Sequence, residues 1–120
     1  MIRISREARG TPLATIDGMR LLKGCEGPQL ASIDNDKVCK GSGQIQILYI
    51  AGNRVFKGMG SMQLAHIERG RVYAGATGPH LATYANGSIT DDAGTMIGHI
   101  DRPVTTGELA AVLHLVFAIF

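Results

Sequence analysis

Two short segments of this chain place a histidine and a carboxylate two residues apart. They are His66 with Glu68 and His99 with Asp101. Residues two apart on a β-strand lie on the same side of it, so each imidazole and its carboxylate can act together. Imidazole nitrogen and carboxylate oxygen are ligands that Zn²⁺, Mn²⁺ and Fe²⁺ accept. These four residues are the candidate metal or small-ligand site. The simpler interpretation is two solvent-facing pairs beside turns.

Basic residues also recur at a fixed interval. One register holds Arg20, Lys37, Arg54 and Arg71, and a second holds Lys23, Lys40 and Lys57. A basic stripe can follow a phosphate backbone, so the first register is the candidate nucleic-acid contact. Aromatic residues that could stack on bases make up only 5% of the chain. Acidic residues three positions before the basic register can also form ion pairs across the same turn. Both observations argue against nucleic acid as a partner.

Sequence motifs for nucleophilic catalysis are missing. There is no Gly-x-Ser-x-Gly, and the glycines around Ser42 are not followed by the Lys-Ser/Thr pair of a phosphate loop. The adjacent Asp91 and Asp92 are typical of a turn. The absence of Trp argues against a sugar-binding surface. We therefore expect no enzymatic activity and no cofactor.

An internal repeat must position all of these residues. Similar segments begin at residues 13, 30, 47, 64 and 81, at intervals of 17, and a sixth begins at 97. Each is followed by a second apolar segment, such as residues 71–75, and residues 2–4 resemble such a second half without its first. Short apolar segments with Gly, Asn or Asp between them are typical of β-hairpins. Residues 1–104 are therefore predicted to form five or six hairpins, with a positive φ at Gly70 and Gly87.

Alternation along the first strand of each unit predicts its two faces. The second and fourth positions, such as Ala65 and Ile67, should share one face, where a small residue allows another backbone to approach. The first and third positions, such as Leu64 and His66, should share the other. A lone hairpin cannot bury its own face, so the units must pack together. A closed ring also protects the sheet edges, which favours a ring over an open solenoid.

The C-terminal segment, residues 105–120, departs from the repeat. Thr106 and Glu108 can start a helix, and the residues from Leu109 to Phe120 are apolar except for His114. Twelve residues of helix reach about 18 Å, short of the roughly 30 Å hydrocarbon core of a membrane. No membrane span is predicted. A segment that is apolar all round is expected to be buried within the protein or between subunits, as a helix or a strand.

Length and composition predict one domain over residues 1–120. Apolar residues make up 45% of the chain and charged residues 18%, at a net charge of +2, which is typical of a globular domain. The N-terminal residues are charged and lack the apolar stretch of a signal peptide. We expect a cytoplasmic protein in which Cys25 and Cys39 are free thiols.

The repeat resembles one known family. The pattern Leu-Ala-x-Ile-x-x-Gly-Arg-Val-Tyr-x-Gly at residues 64–75 is similar to the units of the small bacterial proteins called four-fold β flower proteins. The resemblance implies hairpins that fan out around a central pseudo-four-fold axis, with an apolar tail like residues 109–120. In such a ring, units two apart face each other, which would bring the two His–carboxylate pairs together on the axis. The family has no established catalytic residues to transfer.

Taken together, the sequence predicts an all-β protein of 17-residue hairpin units packed around a pseudo-symmetry axis, with a buried apolar C-terminal helix or strand. We interpret it as a non-enzymatic structural or interaction module that forms homo-oligomers and binds an unknown protein partner. The alternative is a metal- or small-ligand-binding protein with its site at the repeat axis.

Overall fold

Each half of the repeat forms a β-strand, because its short stretches of Ile, Val and Leu are separated by tight turns. The computed structural model describes residues 1–34, 36–58 and 62–120. Across these residues twelve strands precede one helix. In chain order they are β1 (Ile2–Ser5), β2 (Ala14–Asp17), β3 (Arg20–Lys23), β4 (Gln29–Asp34), β5 (Lys37–Lys40), β6 (Gln46–Ala51), β7 (Arg54–Lys57), β8 (Met62–Glu68), β9 (Arg71–Ala74), β10 (His80–Ala85), β11 (Ser88–Asp91), β12 (Met96–Ile100) and α1 (Thr106–Leu115).

The strands close into one antiparallel barrel in which each strand pairs with its neighbours in the chain. The ring closes where β1 pairs with β12, with Ile4 opposite Ile100. In the first unit, Ile16 lies opposite Leu21 in the same way. Strand β1 is therefore the second strand of the sixth unit, as the isolated segment at residues 2–4 predicts. The predicted closed ring is confirmed, and it holds six two-strand units where the family resemblance implies four.

The two ends of the barrel differ. The end with the tight turns inside each unit is called the turn rim, and the end with the loops from one unit to the next is called the return rim. On the turn rim, Gly70 and Gly87 both have φ of +83°, which confirms the predicted positive φ. The preceding Arg69 and Asn86 are also positive, at +51° and +52°. Positive φ at both central residues is the mark of a type I′ hairpin turn.

A repeated β-bulge changes the predicted faces. Between β7 and β8, Val55 lies opposite Ala65 while Phe56 lies opposite Gln63, so Leu64 is the extra residue. The same shift occurs at the four other junctions between units from β3 to β12. Because a bulge redirects a side chain, Leu64 packs against the core instead of sharing the outer face with His66. The assignment of the leading Leu or Ile to the polar face was therefore wrong.

The helix fills the interior of the barrel. Five consecutive residues, Leu109–Leu113, are at most 4% exposed. At 3.6 residues per turn they cover every direction around the helix axis, so α1 is enclosed on all sides at this level. The helix packs mainly against β4, with further contacts to β5 and β6.

The start and end of the helix are fixed by specific contacts. The N-cap is Thr105, one residue before the predicted Thr106, and its hydroxyl accepts from the amide of Glu108 while the Glu108 carboxylate accepts from the amide of Thr105. This capping box satisfies two amides that the helix leaves unpaired. After the helix, Phe117 packs against Gly98 of β12, on the side of the ring opposite β6. The predicted buried C-terminal segment is thus a helix with a partly buried tail.

The expectations about a membrane span and about the cysteines can be compared with the structure. Within the described ranges, no helix has the length and apolar character to cross a bilayer. Both cysteines lie within these ranges and are free, Cys25 exposed and Cys39 partly buried.

Candidate functional site

The first predicted pair, His66 and Glu68, lies on the outer wall of the barrel. Its neighbours Ala65 and Ile67 are buried in the core, so the alternation of β8 turns the pair outward. The Nε2 atom of His66 is 3.3 Å from a carboxylate oxygen of Glu68. The His66 side chain is 26% exposed and the Glu68 side chain is 59% exposed. The pair is therefore a local contact in partly solvated surroundings.

The second predicted pair, His99 and Asp101, lies where the ring closes. The Asp101 carboxylate accepts from the backbone amide of Arg3, 2.7 Å away, and so fastens β1 to β12. The Nδ1 atom of His99 is buried without a hydrogen-bond partner among the described residues. It lies beside Gly87, at a surface cavity of about 400 Å³.

The structure does not bring the two pairs together. Strands β8 and β12 belong to units two apart in a ring of six, which separates them by a third of a turn instead of half. Both pairs lie on the outer wall, away from the barrel axis. No cluster of three or more His, Cys, Asp or Glu residues suited to a metal occurs in the described parts of the chain. Metal binding by either pair stays a prediction.

The two basic registers lie at opposite ends of the barrel. Arg20, Lys37, Arg54 and Arg71 begin their strands on the turn rim, and all four are exposed. Lys23, Lys40 and Lys57 end their strands on the return rim. Three strand steps separate the registers by about 10 Å. Across the turns, Arg20 forms an ion pair with Asp17 at 2.9 Å, and Arg71 lies opposite Glu68. The registers are two separate rims, and nucleic-acid contact stays a prediction.

A band of aromatic and imidazole rings follows the outer wall from β6 to β10. Tyr49 contacts Phe56 at a ring-centroid distance of 6.1 Å. Tyr73 lies between His66 at 6.3 Å and His80 at 5.6 Å. The imidazole Nε2 of His80 is also 2.7 Å from the hydroxyl of Thr83. These cross-strand pairs fix the side chains of the outer wall.

A cleft of about 980 Å³ opens at the return rim. One wall is the segment after the helix, and the other is the barrel edge at β2, β4 and β12. Its apolar lining includes Leu13, Leu30, Ile97, Leu115, Phe117 and Ile119. Four charged residues also line it: Arg6, Glu7, Lys23 and Asp91. The volume lies in the range of small-molecule sites, and the cleft is open to solvent with apolar and polar surface in similar amounts.

The charged side chains around the cleft differ in whether they already form hydrogen bonds within the protein. One oxygen of the Asp91 carboxylate accepts from the amides of Ala93 and Thr95, at 3.0 and 2.9 Å, and so holds its own loop. The side chains of Arg6, Lys23 and Glu7 make no such bond within the part of the chain that is described. Two cations and one carboxylate therefore remain to meet a ligand.

Sequence reasoning overlooked this cleft because its residues come from distant segments. No motif joins Leu13, Ile97 and Ile119, and only the closed ring brings them together. Sequence reasoning also passed over a glutamine register whose role is structural. The side-chain amides of Gln29, Gln46 and Gln63 donate to the carbonyls of Gly41, Gly58 and Gly75, at 3.1, 2.8 and 3.2 Å. The interval of 17 residues between these glutamines is the signal that could have revealed it.

Tyr84 is a departure from the repeat on the inner face. It occupies the fourth position of its unit, where the preceding four units have Ile. Burial raises the pKa of the Tyr84 phenol above its ordinary value, because the phenolate would lose its hydration. The Tyr84 phenol borders the same cavity as His99.

Comparison of the chain with models of known protein families, with curated proteins and with solved structures found no match.

Proposed function

We propose that this protein is a non-enzymatic binding module whose ligand occupies the cleft at the return rim. In this proposal the six units are related by a pseudo-six-fold axis that runs through the barrel. The cleft lies at one mouth of the barrel, close to that axis. The observation that carries it is the cleft itself, about 980 Å³ in volume, which combines apolar side chains on both walls with four charged residues. A small-ligand site at the axis is therefore favoured over a metal site.

The chemistry of the cleft favours an amphipathic ligand with a negatively charged end. The apolar side chains on both walls suit a hydrocarbon chain or ring, because burial of apolar surface contributes about 25 cal/mol per Å². Arg6 and Lys23 offer two cations at the edge against one carboxylate, Glu7, while Asp91 is engaged by its own loop. A carboxylate or sulfonate attached to an apolar body satisfies both parts of this lining.

The lining also favours binding over catalysis. The described residues around the cleft include no Ser, Thr, Cys or His that could act as a nucleophile or as its base. The two His–carboxylate pairs are on the outer wall, apart from this space. Recognition of the ligand without its conversion is the function that these residues support.

Isothermal titration calorimetry with dodecanoate tests the proposal. We expect dodecanoate to bind and dodecyltrimethylammonium, with the same chain and the opposite charge, to bind more weakly. Lys23→Gln should weaken dodecanoate by roughly tenfold, since loss of a charge-assisted contact is worth about 1.4 kcal/mol. Ile97→Asn should weaken both ligands.

The matched control is Arg20→Gln, which removes a charge from the same strand at the turn rim. It should leave dodecanoate affinity unchanged. Absence of dodecanoate binding, or equal effects of Lys23→Gln and Arg20→Gln, would refute the cleft as the site.

A further inference from the structure

The return rim exposes large apolar side chains that nothing in the protein covers. Ile45 is 70% exposed, Met62 is 58% exposed and Met96 is 43% exposed. Each lies beside the end of a neighbouring strand. The amide of Lys40 donates to the carbonyl of Ile45 at 2.8 Å, and Lys57 lies directly opposite Met62. The rim therefore presents apolar side chains next to exposed lysines.

Charge is unevenly distributed around this rim. The loop from β5 to β6 and the loop from β7 to β8 each follow a lysine, Lys40 and Lys57, and their sequences carry no acidic residue. The loop from β11 to β12 follows Asp91 and contains Asp92, with no basic residue. In a ring of six units, the β5–β6 loop and the β11–β12 loop lie opposite each other. The β3–β4 loop adds Lys23 and Glu26 to the first side, and the β1–β2 loop adds Arg6, Glu7 and Arg9 to the second. The half of the face around the β5–β6 loop therefore has a net charge of +2, and the half around the β11–β12 loop has a net charge of −1.

We propose that two copies of this chain pair face to face through their return rims. A two-fold axis that lies in the plane of the face, perpendicular to the line from the basic to the acidic side, places each basic side on the acidic side of the other copy. Such an isologous contact is self-complementary, so every favourable pair occurs twice. Lys40 then meets the partner's Asp92, and Ile45 packs against Met96 of the partner subunit.

The size of the face suits a stable dimer. The barrel measures 35 × 34 Å across. A disc of that diameter has an area on the order of 900 Å², so most of the face must be in contact to reach the roughly 800 Å² per partner of a standard specific interface. The exposed apolar residues supply an interface core. The opposed charges fix the orientation of the two copies, because a different rotation of one copy on the other would bring like charges together.

The same two-fold operation pairs the β1–β2 loop of one copy with the β3–β4 loop of the other. Both loops adjoin residues that line the cleft, Arg6 and Lys23 among them. The two clefts therefore adjoin across the axis. The dimer does not depend on a ligand, so it can be tested independently of the proposed binding function.

Sedimentation velocity of the full chain tests the dimer. We expect the wild-type protein to sediment as a dimer at micromolar concentration. Lys40→Asp alone and Asp92→Lys alone should each raise the dimer dissociation constant at least about tenfold, since like charges then face each other. The double variant Lys40→Asp/Asp92→Lys restores both contacts with reversed polarity and should return the dissociation constant close to wild type. Asp92 is suitable because, unlike Asp91, it caps no turn among the described residues.

Two further variants keep the test specific. Lys37→Asp reverses a charge of the same unit on the turn rim and should leave the dimer unchanged. Ile45→Asp, which alters a side chain that is already exposed, should give a folded monomer by circular dichroism. A monomeric wild-type protein overturns the proposal, as does a double variant no better than the single ones. Binding of the monomer to vesicles of anionic phosphatidylglycerol, lost in Ile45→Asp, would assign the face to a membrane surface instead.

Discussion

Gly98 is the residue at which the helix and the barrel constrain each other most directly. At the equivalent position, four of the other five units have Ala and one has Leu48. A Cβ atom built on Gly98 would overlap the ring of Phe117, which follows the helix. Glycine is therefore needed here for close approach and not for a turn, since its φ is not positive.

Gly98→Ala is predicted to destabilise the protein by about 1 kcal/mol, because the partly exposed Phe117 ring beside the cleft must shift to accept the added methyl group. The melting temperature by circular dichroism measures the effect. Phe117→Leu in the same chain should recover part of the loss, since the smaller side chain makes room. Gly94→Ala is not a suitable control because its φ is +87°, whereas Thr95→Ala alters the same hairpin at an exposed position. Equal melting temperatures for Gly98→Ala and Thr95→Ala would contradict the contact.

At the scale of elements, the strands and turns could be predicted from the sequence because their causes are local. Glycine at residue 70 could be predicted from its own turn, and its φ agrees with the prediction. The carbonyl of Tyr84, which also leaves no room for a Cβ atom at this residue, could not be predicted in the same way. The bulge at Leu64 could not be predicted, since a register shift depends on which residue of β7 lies opposite. Alternation alone assigned Leu64 to the wrong face. The helix was predicted as an apolar segment, but its enclosure by the ring depends on the number of strands.

The candidate site shows the same division between local and distant causes. The pairing of His66 with Glu68 follows from alternation within one strand, and these side chains are in contact. Their convergence with His99 and Asp101 required a ring of four units, and with six units the pairs are a third of a turn apart. The cleft walls at Leu13 and Ile119 are brought together only by ring closure. Sequence could therefore identify pairs but not the cavity.

Removal of the helix is predicted to unfold the protein. Leu109, Val112 and Leu113 are buried within the ring. At about 1.5–3 kcal/mol for each buried side chain they contribute roughly 5–9 kcal/mol, which is comparable to the whole net stability of a typical domain. A chain of residues 1–104 should therefore lose its cooperative melting transition by circular dichroism, or precipitate on expression.

The control for this truncation is a chain of residues 1–117, which keeps the helix and Phe117. It should melt cooperatively, with a small loss from the contact between the Phe120 carbonyl and His114. If the chain of residues 1–104 stays in the soluble fraction and melts as the intact protein does, the helix is not part of the core.

At the scale of the whole molecule, the barrel depends on its first strand. Ile4 is fully buried and lies opposite Ile100, in the position that Leu21 has in the first unit. Without β1, the edges of β2 and β12 would each present unpaired amides and carbonyls, which are templates for association with other chains. Loss of this one strand therefore opens the whole barrel, and its effect is not confined to one unit.

Deletion of residues 1–6 is predicted to cause aggregation, detected as light scattering at a temperature where the intact protein remains clear. The substitution Ile4→Ala should destabilise the chain by about 2–5 kcal/mol, as expected for truncation of a buried large side chain. Leu21→Ala at the equivalent position should have an effect of similar size. If deletion of residues 1–6 leaves the melting curve unchanged, β1 does not close the barrel.

The pairing of β1 with β12 also determines when the protein can fold on the ribosome. Ile4 cannot pair with Ile100 until Ile100 has been synthesised. At roughly 5–20 residues per second, synthesis from Ile4 to Ile100 takes about 5–20 s. The five hairpins between them can form as they emerge, because their contacts are local. The curved sheet stays open during this interval, and its lumen is accessible. The helix that occupies that lumen follows β12 in the chain. Translation therefore delivers the helix only after the final strand of the barrel, when the nascent sheet can close around it.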